Sequence, residues 1–389
     1  MTKKILSITP YFPPDVGGLA YHVFDLNKCL IKQGLDITVI APKHIQNKIQ
    51  EDNNFGHVFR VNSIYLPGWP YPTLKSMNFP IDLGRAIESI IRKGDFDLLH
   101  AHGHHFPISW SALNTAQKYG IPSILTLHGM YALNPNVLGG KSLLEDLFNK
   151  FVFSKILSKT TSIIGLTDQI TKYARRFGRE SSKYFTIPNG VNVSTFKENM
   201  KRKEEYREKY HIGNEKIVVL FCTRFERVKG VVEFAAAAKE LVKSDKIEII
   251  LAGGGSLEST VEDMVGNTKG IHLLKWQPKE SIHELYIASD IFAMPSRFEG
   301  LPLPIIEAMN AGLHIVYTPV GGMPDILNQY SMKTLLNEIS PNEIYRILTN
   351  VVSNFTNYKD HDSLSYAQKF DWDNIAFKTN EVYSQSVLK

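Results

Sequence analysis

The chain has 389 residues, 43% of them hydrophobic and 21% charged, with a net charge of +5. That is enough chain for two domains of about 150 residues or more, each able to bury its own core, and the excess of Lys is too mild to point to nucleic acid. Only two cysteines occur, Cys29 and Cys222, far apart and in apolar surroundings, so they read as buried free thiols of a reducing compartment and not as metal ligands. The N-terminus shows no apolar segment followed by a cleavage site, and no run of about 18 apolar residues occurs. The expected location is therefore cytoplasmic, with the inner face of the membrane as a place of peripheral attachment.

In chain order, residues 4–9 (KILSIT) read as a buried strand, ended by Pro10 and by the Pro13-Pro14 pair. Gly17-Gly18 then opens a helix over 19–33 that Gly34 stops. Residues 36–41, 97–100, 122–127 and 162–166 are further strands with helical stretches between them, an alternation that implies βαβ units and a parallel sheet. The pattern restarts after residues 188–191. Strands are expected at 216–222, 247–252, 271–274, 291–294 and 314–317, with a helix at 231–243 and a polar, charge-rich segment at 197–214 opening the second half. Residues 370–386 carry the spacing of a last helix. The fold class is thus α/β, built as two Rossmann-like domains, 1–190 and 191–369, with the helix of 370–389 expected to pack back on the first.

Ligands of open parallel sheets bind beyond the carboxyl ends of the strands, so the loops there carry the chemistry. Gly17-Gly18 follows the first strand; it lets a backbone approach a ligand and offers helix N-terminal amides to an anion, or it is a plain tight turn. His128, in Thr126-Leu127-His128-Gly129, stands at a strand end where it can hydrogen-bond a sugar hydroxyl, or serve structure alone. His100, His102, His104 and His105 are denser, but their spacing matches no helical zinc motif, and no metal site is expected. Arg224 and Lys229 supply a fork and a point charge of the kind a diphosphate needs. Gly253-Gly254-Gly255 is a weak nucleotide loop, since Glu258 replaces the third glycine of the dinucleotide fingerprint. The most informative segment is 295–309. Gly300-Leu301-Pro302 leads into a helix whose first amides can face a phosphate, Glu299 suits sugar hydroxyls, and Glu307 suits ribose hydroxyls.

Here the sequence resembles the retaining glycosyltransferases of family four, which have the GT-B fold. Their signature is a Glu, seven residues and a second Glu, matched by Glu299 and Glu307. The resemblance runs along nearly the whole chain, through Gly17-Gly18, Asp97-Leu98-Leu99-His100-Ala101-His102, Thr126 to Gly129, Ile187-Pro188-Asn189-Gly190-Val191, Arg224 with Lys229-Gly230, and Phe370-Asp371-Trp372. It implies two Rossmann-like domains facing across a cleft, the first for the acceptor and the second for the donor. It also implies transfer with retention of anomeric configuration and no obligatory metal or other cofactor. By the same resemblance Gly17 and Gly18, with Arg224 and Lys229, steady the donor phosphates and His128 lies near the donor sugar. Gly253, Glu299, Gly300, Leu301, Pro302 and Glu307 complete the donor site. The catalytic set is then His128, Glu299, Arg224 and Lys229.

Lys275 stands where many relatives carry Gly, and Asp325 where Glu is usual. The donor is therefore left as a UDP-, GDP- or ADP-sugar, and the acceptor as a glycan or a lipid-linked hydroxyl, in bacterial surface polysaccharide or glycolipid synthesis. Asp371-Trp372-Asp373 spells the metal-binding triplet of another transferase fold and is read as coincidence. An anionic membrane surface is a further partner. Residues 141–183 hold nine Lys and Arg against four acids, a net of +5, and Leu143, Leu144, Leu147, Phe148, Phe151 and Val152 form an apolar helical stripe. The competing reading of that stripe is a face turned to the core. A noncatalytic nucleotide-sugar-binding protein, a phosphorylase and an epimerase on the same scaffold are the alternatives. A nicotinamide-dependent oxidoreductase lacks its glycine fingerprint in both halves.

Overall fold

The run KILSI is strand β1 (Lys4–Ile8). Ile5, Leu6 and Ile8 are buried because β1 lies inside a sheet covered on both faces. The computed structural model describes residues 2–15, 17–43, 57–61, 63–65, 78–80, 83–130, 143–279, 281–355 and 361–387. They form two units, Met1–Gly190 with Trp372–Lys389, and Val191–Asp371.

In the first unit, β2 (Asp36–Pro42) and β3 (His57–Val61) extend the sheet on one side of β1; β4 (Ser63–Tyr65) and β5 (Asn78–Pro80) form a separate antiparallel pair. On the other side lie β6 (Leu98–His102), β7 (Ser123–Leu127), β8 (Ser162–Gly165) and β9 (Lys183–Thr186). The order is β3-β2-β1-β6-β7-β8-β9 and every pairing in it is parallel. The second unit repeats the design with β10 (Ile217–Cys222), β11 (Ile247–Ala252), β12 (Ile271–Leu274), β13 (Ile291–Met294), β14 (His314–Tyr317) and β15 (Lys333–Leu335), in the order β12-β11-β10-β13-β14-β15. In each unit the winding reverses beside the first strand, between β1 and β6 and between β10 and β13. Ligands of doubly wound sheets bind at such reversals.

The strands without a counterpart in the sequence reading include β3, β9 and β15. Each lies at a sheet edge and pairs with one neighbour only. An edge strand needs no continuous apolar run, and HVFRV, KYFT and KTL have none. The charge-rich start of the second half forms two short helices, Val193–Asn199 and Lys203–Lys209. The second is pinned by buried Asp290, which accepts from Arg207 Nη2 at 2.7 Å, Lys203 Nζ at 2.5 Å and the Val218 amide at 2.8 Å.

The last helix, Trp372–Val387, belongs to the first unit. Trp372, Ile375, Ala376, Val382 and Tyr383 join Ile5, Val23, Leu26 and Leu30 in one core. Tyr383 Oη lies 2.7 Å from His100 Nδ1, and Ser386 Oγ lies 2.8 Å from Ser162 Oγ. A Cβ on Gly190 would come within 2.6 Å of the Trp372 ring, so only glycine admits this contact. Asp371 accepts from the Val193 amide at 3.1 Å while Trp372 fills the core, so these two members of the Asp-Trp-Asp triplet have structural work. Trp372→Ala should cost about 3–5 kcal/mol, measured by urea unfolding. A loss under about 1 kcal/mol would show that the indole does not anchor this helix.

Candidate active site

In the second unit the loops after β10 and β13 meet. Buried Phe225 anchors the first loop, which turns through a short 3-10 helix, Arg227–Lys229, to Gly230. Gly230 has φ of 70°, and a Cβ there would stand 2.2 Å from the Pro295 carbonyl oxygen. Its glycine thus serves both a left-handed backbone and a close approach of the two loops. Arg297 fastens them: its amide donates to Val228 O at 2.8 Å, its Nη1 to Arg227 O at 2.9 Å, and its Nη2 pairs with Glu233 Oε1 at 2.8 Å.

At this junction Lys229 Nζ donates to Glu299 Oε1 at 2.5 Å, and both side chains are buried. The sequence reading assigned the two to different parts of a ligand, Lys229 to phosphate and Glu299 to hydroxyls. In the structure each is the other's partner. Arg224 is on the same loop, exposed, and its guanidinium makes no hydrogen bond or ion pair among the described residues. A third loop, after β14, closes on Glu299. A Cβ on Gly321 (φ 60°) would stand 2.2 Å from Glu299 O, and the Gly322 amide donates to Gly300 O at 2.7 Å.

Leu301 is buried, and Pro302 caps the helix Leu303–Asn310. Pro302 and Pro304 carry no N–H, so Gly300, Leu301 and Leu303 own the amides of this turn. Glu307, half-buried on that helix, faces the end of β10. Burial first, and the Glu307 charge next, push up both the Cys222 thiol and the Tyr286 phenol. Gly253 has a packing cause: a Cβ would stand 2.1 Å from Thr223 O and against the Phe225 ring. What approaches Gly253 closely is the chain itself.

In the first unit Gly17 caps the helix Gly18–Lys32 with φ of 151° and ψ of 163°, a conformation open to glycine almost alone. The Gly18, Leu19 and Ala20 amides have no carbonyl ahead of them in the helix. His128 follows β7 and is half-buried. Its Nε2 lies 3.4 Å from Nδ1 of His102, at the end of β6. The ring of His22, from the first helix, stands edge-on to His128 at 4.7 Å, and His22 Nδ1 lies 2.7 Å from Asn189 Oδ1. The dense histidine run therefore divides: His102 joins His22 and His128, whereas His104 packs on Phe153 and His105 on Phe106. His100 is held by Thr126 Oγ1 and Tyr383 Oη, each at 2.7 Å. Burial lowers all six imidazoles, His22 and His105 to about 4, His100 to about 3, and His102, His104 and His128 well below the usual histidine value. They are neutral at physiological pH.

Sequence reasoning passed over His22, Asn189 and Arg297 as individual site residues. The signal for His22 was a polar residue inside the buried stripe Ala20, Val23, Leu26 and Leu30. Arg297 had no such signal, because its role depends on two loops that meet only in space.

Comparison with known proteins agrees with this architecture. The family model "Glycosyl transferases group 1" matches residues 202–369, and "Glycosyltransferase Family 4" matches residues 16–195. The putative teichuronic acid biosynthesis glycosyltransferase TuaC of Bacillus subtilis (strain 168) is 26% identical over 352 residues, 84% of each chain. The sucrose-phosphate synthase of Thermosynechococcus elongatus superposes with a TM-score of 0.80 at 18% identity, covering 98% of both chains. HepE of Anabaena, in complex with UDP and glucose, gives 0.75 at 16% identity over 98% of this chain and 100% of its own. The chain is a glycosyltransferase of family four, with the two-domain α/β architecture of the GT-B fold.

Burial of the Lys229–Glu299 pair sets up a thermodynamic test. Lys229→Met strands a buried carboxylate and should cost about 3–5 kcal/mol, whereas Lys229→Met with Glu299→Leu should cost clearly less than that single change. Urea unfolding of the two variants measures this; a double variant as unstable as the sum of both singles would mean that the pair is not coupled.

Proposed function

We propose that this glycosyltransferase moves a sugar, with retention of configuration, from a nucleotide-diphosphate sugar to a hydroxyl of a glycan or lipid-linked acceptor. The observation that carries the reading is the junction at the β10/β13 reversal, where the Lys229–Glu299 pair lies beneath a loop that exposes Arg224. A pyrophosphate leaving group needs pre-positioned positive charge. Arg224 supplies it directly, Lys229 through its share of the ion pair, and the amides of Gly300 and Leu303 add neutral donors, with Leu301 and Pro302 shaping the turn between them. Glu299 then receives sugar hydroxyls, Glu307 the ribose, and Gly253 shapes the loop beneath the base. In the first unit His128, a neutral imidazole, hydrogen-bonds the donor sugar, and the helix start at Gly17-Gly18 faces the phosphates. No step calls for a metal. UDP, GDP and ADP sugars remain the donor classes to compare; the complex of HepE with UDP and glucose favours starting with UDP-glucose.

Bacterial surface polysaccharide or glycolipid synthesis is the proposed setting, supported by the teichuronic acid assignment in the name of TuaC. It fits a second feature of the first unit. Along the helical run Leu143–Phe148, Asn149–Phe153 and Ser154–Leu157, exposed Leu143 (73%), Leu147 (43%) and Phe151 (61%) recur every four residues. Exposed Lys150 and Lys155 accompany them against one exposed acid, Asp146; Lys141 lies outside the described residues. Among the described residues no helix is long and apolar enough to cross a membrane. An apolar stripe with cations beside it suits a protein resting on anionic lipid.

Arg224 is the cleanest probe of the donor site, because an exposed side chain can be removed without disturbing the core. Arg224→Ala should lower turnover roughly 10²–10³-fold at an unchanged melting temperature, scored on whichever UDP-, GDP- or ADP-sugar the wild type consumes. Wild-type turnover in that variant would remove Arg224 from the site, and a product of inverted anomeric configuration by NMR would refute retention. For the membrane contact, the wild type should float with phosphatidylglycerol-containing vesicles more than with neutral ones. Leu147→Ser with Phe151→Ser should abolish most of that binding; equal flotation of both proteins would refute the contact.

A further inference from the structure

The histidines of the first unit carry an inference independent of sugar transfer. His22, His102 and His128 come from the first helix, the end of β6 and the loop after β7, and one ring nitrogen of each lies within 4.8 Å of the other two. We propose that these three imidazoles form a binding site for a divalent transition-metal ion of the zinc type.

The first support is orientation. Asn189 Oδ1 only accepts, so His22 Nδ1 carries the proton and Nε2 the lone pair. That Nε2 is buried and has no hydrogen-bond partner. A metal-binding histidine is typically held in this way, its second nitrogen donating to a carbonyl or carboxylate oxygen. The second support is spacing. His102 Nδ1 and His128 Nε2 stand 3.4 Å apart, long for a hydrogen bond between rings. Two nitrogens bound to one tetrahedral zinc at about 2.0–2.1 Å lie roughly 3.3–3.4 Å from each other. The two remaining pairs both involve His22, lie within 4.8 Å, and close to that spacing through movement of His22 toward the other two rings; His128, the half-exposed member, gives the ion its way in.

The chemistry selects the ion. Three neutral imidazoles with no carboxylate among them suit zinc, cobalt, nickel or copper and not magnesium or calcium, whose ligands are oxygens. Three histidines leave a fourth position open, to water or to an anion. One consequence rests on the proposed function: His128 bound to an ion cannot also serve the donor sugar, so zinc should inhibit transfer.

The test uses the full chain, dialysed against zinc or cobalt and analysed for metal by mass spectrometry. The wild type should retain one equivalent, and the cobalt form should show the intense visible bands of tetrahedral coordination. His128→Gln, at a half-exposed position, should lose that equivalent with its circular dichroism unchanged. His22→Gln should do the same, and Asn189→Ala should weaken binding roughly 10–100-fold. If His22→Gln does not fold, His128→Gln decides alone. A wild type that retains no stoichiometric metal, or a His128→Gln variant that binds as tightly as wild type, overturns the site. Zinc that binds at one equivalent but leaves turnover unchanged supports the metal site and removes His128 from the transfer reaction.

Discussion

A lysine and a carboxylate can share a dry place only if they touch, and the contact between Lys229 and Glu299 governs the organisation of the second unit. Lys229 closes the turn after β10 and Glu299 follows β13, so their pairing requires the two loops flanking the winding reversal to approach within a hydrogen bond. The rest of the local chain meets that requirement. Gly230 removes the side chain that would strike Pro295, Arg297 bonds to the backbone of the opposite loop, and Gly321 lets the loop after β14 lie on the Glu299 carbonyl. Each is a local oddity alone and a consequence of the ion pair when taken together. The pair also decides which cations meet solvent. With Lys229 engaged, Arg224 and Arg227 are the cations that this loop turns outward.

The architecture was legible from periodicity because parallel strands buried on both faces must be apolar throughout. KILSI, IVVLFC and IEIILA left little alternative. The boundary near Gly190 was legible for a different reason: a proline-asparagine-glycine turn interrupts two otherwise similar halves. What periodicity could not register were edge strands such as KYFT, whose half-solvated positions demand no pattern. The weak glycine loop at 253–255 shows a second limit. A glycine in a strand-to-helix loop looks the same in sequence whether a ligand or another piece of chain approaches it, and at Gly253 the approaching group is Thr223 O.

Candidate residues stood out in the sequence where type and strand-end position coincided, as at His128, Arg224 and Glu299. They were hidden where a candidate's surroundings depend on a meeting of distant segments. His22 and Asn189 are 167 residues apart, and only the fold shows that one orients the other. The histidine run 100–105 was misleading in the opposite sense. Its members look like one cluster, yet strand alternation and the following turn send them to different neighbours: His100 to Tyr383, His102 to His22 and His128, His104 to Phe153.

The two units treat polarity in opposite ways at equivalent strand ends. Beyond β10 and β13 the second unit places full charges, one pair buried and two arginines, Arg224 and Arg227, exposed. Beyond β6 and β7 the first unit places imidazoles that burial keeps neutral. Fixed cations stabilise an anion such as a pyrophosphate but discriminate poorly between hydroxyl groups. A neutral imidazole, which donates at one nitrogen and accepts at the other, discriminates hydroxyls by geometry and adds no field to the anion. The proposed transfer, in which an acceptor hydroxyl replaces a diphosphate leaving group on the sugar, has use for both, and a chain of two Rossmann-like halves can tune each separately. Neutral imidazoles have one further property that charged side chains lack, a lone pair free for a metal. The neutrality that makes the first unit's histidines candidates for hydroxyl recognition is therefore also what makes them candidates for an ion.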